Sequence, residues 1–118
     1  MPPIKTLNLS GNRISDDGML SLIEVMKIKP TLTSLSLNNN RITNTGITRL
    51  DSYLSGREAR LVHLYLDNNV SINDECVDYS INMLRQNTRL QELSLANCSL
   101  TSDGKDRLRD AVRRKRKV

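Results

Sequence analysis

The side chains able to do chemistry are few, and their types restrict what that chemistry is. The chain has one histidine, His63, and two cysteines, Cys76 and Cys98, with no CxxC pair among its 118 residues. Acid-base catalysis needs a positioned, desolvated group with a partner, so His63 with Asp67 and Glu92 is the sole candidate set. No serine or cysteine nucleophile is placed with it. Two isolated cysteines and one histidine do not make a metal site, and nothing in the sequence calls for a cofactor. Small buried apolar residues are the expected role of Cys76 and Cys98. The remaining chemical feature is a basic run, Arg113, Arg114, Lys115, Arg116 and Lys117.

That run explains the net charge of +5. Of 18 basic side chains five lie in the tail, leaving 13 to balance 13 acidic ones, so the body over 1–112 is formally neutral and 113–118 is a basic tail. Such a tail suits nuclear import, contact with an anionic lipid or nucleic acid, or simply a helix C-terminus. No aromatic residue lies near it, so base stacking has no platform and specific nucleic-acid recognition is not expected. Phe and Trp are absent and only three Tyr occur, which makes the core aliphatic. No apolar stretch approaches the ~20 residues of a membrane span. The N-terminus has no signal-peptide pattern, and with free thiols a cytoplasmic, or alternatively nuclear, location is expected.

What must position these residues is a repeat. Ile4-Lys-Thr-Leu7-Asn-Leu9-Ser-Gly-Asn12-Arg-Ile14 aligns with Leu32-Thr-Ser-Leu35-Ser-Leu37-Asn-Asn-Asn40-Arg-Ile42, giving LxxLxLxxNxI twice. Further copies begin at Leu61, with Leu64, Leu66 and Asn69, and at Leu90, with Leu93, Leu95 and Cys98 in the asparagine position. In a short strand the L-x-L leucines point inward and the residue between them outward. The asparagine sits where the chain turns, where its amide can bond backbone groups of adjacent repeats.

After each strand the apolar period changes to that of a helix. Gly18, Met19, Leu22, Ile23 and Met26 make one stripe; Gly46, Ile47, Leu50 and Leu54 the next. The third, Val77, Ile81 and Leu84, has Cys76 in the glycine position and runs one residue late, which an insertion near Val70-Ser71-Ile72 explains. A fourth helix from about Asp103 keeps only Leu108, Ala111 and Val112, with Lys105 on its stripe, as suits a terminal unit. Asp16, Asp17, Asp74, Glu75 and Asp103 fall in first turns, where negative charge suits the helix dipole, and Pro30 stops the first helix. The fold expected is an α/β solenoid of about four repeats, with parallel strands on a concave face and helices on a convex one.

The unit LxxLxLxxN, then x-[IL]-[ST]-x-x-G and a helix, resembles the ribonuclease-inhibitor-like class of leucine-rich repeats over residues 4 to about 112. The resemblance implies a right-handed α/β superhelix and a protein-binding role without catalysis. In length the chain is also similar to the C-terminal domain of tropomodulins, which implies actin binding. That family closes with an amphipathic helix, where this chain has basic residues at 113–117. The class usually has more repeats, and with Ile4 as the first consensus position the first strand is an open edge. Self-association through that N-terminal edge, or attachment to further repeats, is therefore the alternative role.

Lining up the strands ranks the outward positions in three rows: Thr6, Ser34, His63, Glu92; Asn8, Ser36, Tyr65, Ser94; and Ser10, Asn38, Asp67, Ala96. A protein partner is expected on this face around repeats three and four. Tyr65 is the anchor, since tyrosine buries a large rigid area at small entropic cost, and His63, Asp67 and Glu92 supply polar specificity.

Overall fold

The computed structural model describes residues 3–28 and 31–112. Four three-residue strands, β1 (Thr6–Asn8), β2 (Ser34–Ser36), β3 (His63–Tyr65) and β4 (Glu92–Ser94), form one parallel sheet in chain order. Between and after them run α1 (Asp16–Ile28), α2 (Asn44–Leu54), α3 (Val77–Gln86) and α4 (Ser102–Val112). Each helix packs on its sequence neighbour, as units that bury a core only by stacking must do.

The register puts Leu7, Leu35, Leu64 and Leu93 in one row. The last three are fully buried, whereas Leu7 at the edge is only partly covered. Behind them Ile42, Ile72 and Leu100 are buried, and the helices contribute Met19, Ile23, Ile47, Leu50, Leu84 and Leu108. Cys76 and Cys98 are free thiols, buried and half-buried respectively. Burial pushes both thiols above their ordinary range. The insertion falls as expected: Val70 bulges into solvent while Ile72 regains the core, and a 3-10 turn over Asp74–Cys76 leads into α3.

The asparagine ladder is present. Asn40 Nδ2 donates to Leu9 O and Leu37 O, and Asn69 Nδ2 to Leu37 O and Leu66 O. Their carbonyls accept from Ile14 N and Ile42 N respectively. Cys98 fills the fourth rung by donating from Sγ to Leu66 O at 3.2 Å. The residue before each rung needs a left-handed backbone, which Asn tolerates better than most side chains: Asn39, Asn68 and Asn97 have φ of 57°, 61° and 57°. Gly11, with φ 74°, takes that place in the first repeat.

Two of the first-turn carboxylates do more than face a dipole. Asp16 accepts the N–H and hydroxyl of Thr43, the N-cap of α2. Asp74 does the same to Thr101. Between them Asn44 Oδ1 accepts Asn73 N–H at 3.1 Å and Asn44 Nδ2 donates to Asn73 Oδ1 at 2.8 Å. Thus the first residue after each cap holds the cap of the next repeat. Asp17, Glu75 and Asp103 are exposed, and Asp17 lies 3.8 Å from Arg49. Pro30, the Val112 side chain and the run Arg113 to Lys117 lie outside the described residues.

Candidate protein-binding face

Alternation in a three-residue strand leaves two outward positions per repeat, and the parallel register turns these into rows. Thr6, Asn8, Ser34 and Ser36 carry small polar side chains on the first two strands. On β3 and β4 the face changes character. Glu92 Oε1 accepts from Tyr65 Oη at 2.9 Å and lies 3.1 Å from His63 Nδ1. The two rings stand parallel, 4° between planes and 6.2 Å between centroids. One carboxylate oxygen thereby holds both rings of β3 upright from the neighbouring strand. The bond to Glu92 also raises the Tyr65 phenol above its ordinary 10.0, with desolvation adding to it.

The third row behaves differently. Asn38 N–H donates to Ser10 Oγ, Asp67 N–H to Asn38 Oδ1, and Ala96 N–H to Asp67 Oδ1. Ser94 Oγ also donates to Asp67 Oδ1. These side chains continue the sheet where the strands end, so Asn38, Asp67 and Ser94 are committed first to holding repeats together. Asp67 does not join the His63, Tyr65 and Glu92 cluster by a hydrogen bond. Among the described residues its Oδ2 faces no donor, which leaves acceptor capacity at the rim of the face. The sequence signal for this ladder was the acceptor side chain recurring at 10, 38 and 67, which outward-facing logic alone assigns to solvent.

As chemistry, the arrangement is a hydrogen-bonding surface. Among the described residues no group of His, Cys, Asp and Glu is set to hold a metal ion. No helix among them is long and apolar enough to cross a membrane.

Fold and face together define a strand-and-helix repeat solenoid with an open strand side. Residues 1–22 and 29–50 match the family described as Leucine Rich repeat, and residues 89–110 match a second family of that description. The chain belongs to the leucine-rich-repeat proteins. It is 34% identical over 105 residues to NACHT, LRR and PYD domains-containing protein 5 of Homo sapiens, covering 87% of this chain and 9% of that protein. It is 37% identical to protein 14 of the same name in Mus musculus, over 90% of this chain and 11% of that one. Tonsoku-like protein of Danio rerio is 32% identical over 96% of this chain and 8% of its own length. The chain therefore spans about a tenth of these relatives. Leucine-rich-repeat domains generally mediate protein-protein interaction and are typically not enzymes.

Proposed function

We propose that the chain is a non-enzymatic module that binds a protein partner through the concave strand face, centred on Tyr65, His63 and Glu92. The observation that carries this is the shared Glu92 oxygen. It holds two rings rigid on an otherwise small, polar surface, and a pre-ordered aromatic loses little entropy on burial. Among the twelve outward positions the formal charges are the carboxylates Asp67 and Glu92, with no Lys or Arg, so a partner offering cationic or N–H donor groups fits best. An open face with Oε1 of Glu92 already shared gives acid-base catalysis no desolvated base. The repeat length and one helix per repeat support the ribonuclease-inhibitor-like class, and the free thiols support a cytoplasmic location.

The test is capture of a partner by the native chain against the double variant Tyr65→Ala, Glu92→Lys, with Tyr79→Ala on the helical side as control. Capture falls at least ~10-fold for the double variant and is unchanged for the control. Equal capture by all three moves the interface elsewhere.

A second reading has an observation of its own. On the β1 side Ile4 is 62% exposed, while Leu7, Leu9 and Ile14 are only partly covered. At the other end a recess of about 140 Å³ is lined by Leu95, Ala96, Leu100 and Leu108 together with Ser94, Lys105 and Arg109. Both ends thus suit stacking of further repeats or of a second copy, head to tail. Light scattering decides the second-copy version, since mass constant up to high concentration excludes it.

A further inference from the structure

Away from the strands, the convex side carries a charged trough. Between α1 and α2 lies a recess of about 500 Å³ whose wall is Leu20, Ile23 and Tyr53 and whose rim carries Lys27, Arg49 and Arg57. It continues past Arg57 into a second recess of about 280 Å³ that ends at Arg89. Among the described residues four cations thus border one channel, and Glu58 is the one carboxylate lining it.

Helix-dipole complementarity accounts for Lys27, in the last turn of α1. It does not account for Arg57 and Arg89, which lie beyond the ends of α2 and α3, where the dipole's influence has fallen away. Neither makes an ion pair among the described residues. Lys27 meets Glu24 at 3.4 Å with both side chains half exposed or more, a pairing an incoming carboxylate displaces at little cost. Arg49 is oriented by donating to Asp16 O at 2.7 Å and lies 3.8 Å from the exposed Asp17 carboxylate, a loose surface pair that an incoming carboxylate displaces at little cost.

We propose that this trough docks an acidic polypeptide segment carrying an apolar anchor side chain, independently of the concave face. The apolar wall takes the anchor, with Leu20 exposed to receive it, and the cationic rim takes the flanking carboxylates. A nucleic acid lacks its stacking platform, because Tyr53, the sole aromatic of the trough among the described residues, is 9% exposed. A bilayer is too flat to fill a recess between two helices.

Fluorescence anisotropy with a labelled peptide of glutamates and aspartates around one central leucine tests this. At low salt the native chain binds it, and Arg57→Glu weakens binding at least ~10-fold, since reversal replaces attraction by repulsion. Leu20→Ser, and serine for the peptide leucine, each weaken it several-fold. Tyr65→Ala, on the strand face, leaves it unchanged, which separates this surface from the concave one. Thermal melting verifies that the variants, all at exposed or half-exposed positions, remain folded. Absent binding, equal binding by Arg57→Glu, or tighter binding of a DNA duplex or phosphatidylserine vesicles overturns the proposal.

Discussion

Asp74 in the third repeat grips Thr101 in the fourth at two points, one carboxylate oxygen accepting the Thr101 N–H at 2.9 Å and the other its hydroxyl. The hydroxyl bond, then the backbone bond, holds the Asp74 carboxyl below its ordinary 3.8. A carboxyl lowered by folding stabilises the fold above its unfolded value, and that contribution disappears as pH falls through the lowered one. Urea midpoints of the native chain therefore drop on acidification below the ordinary carboxylate range. Asp74→Ala lowers the midpoint at neutral pH and weakens the acid dependence. An identical pH profile in both proteins would show that the clamp contributes nothing.

The same clamp explains two glycines. A Cβ at Gly46 comes within 2.5 Å of Asp16 Oδ1 and 2.6 Å of Ile42 Cγ2, and one at Gly104 runs into the Asp74 carboxylate. At Gly18 the nearest atom is the Ile14 Cγ2 methyl at 2.9 Å, on a side chain that is only partly buried. Gly46→Ala and Gly104→Ala each cost about 1–3 kcal/mol, as overpacking does. Gly18→Ala costs less, and urea unfolding ranks the three.

Asn69→Ala is expected to be among the most damaging single changes on the strand side. It leaves Ile42 N without a partner and takes one donor each from Leu37 O, which keeps Asn40 Nδ2, and Leu66 O, which keeps Cys98 Sγ, a loss of about 2 kcal/mol in urea unfolding. Asn12 is exposed, and Asn12→Ala costs less than about 1 kcal/mol. Cys98→Asn restores the consensus rung and is tolerated. A Cys98→Asn chain as unstable as Asn69→Ala would contradict the ladder.

Glu92 sets the titration of Tyr65. The hydrogen bond it accepts is the main reason that phenol sits above 10.0. Glu92→Gln brings the Tyr65 transition back toward 10.0 in ultraviolet titration, identified by its absence in Tyr65→Phe. Glu92→Gln also frees the His63 ring, whose Nδ1 lies 3.1 Å from the carboxylate. An unmoved phenol would mean that the rings are held by something else.

The fold was readable because its determinants are local and repeated. Leucines recurring every 28 or 29 residues dictate strands that hide them, and the change of apolar period dictates helices behind. The asparagine rungs were legible for the same reason, and so was the bulge at Val70, because one extra residue shifts everything after it. What the tertiary structure alone decided is which polar groups meet across repeats. Asp16 and Asp74 read as dipole partners of their own helices, since the threonines they hold lie 27 residues on. Asp67 read as a member of the binding cluster, yet its Oδ1 is spent on Ser94 and Ala96, while Glu92 takes both His63 and Tyr65. Periodicity selects which side of a strand a side chain occupies. Which donor an oxygen faces depends on strand spacing and rotamers, and these exist only once the repeats have stacked.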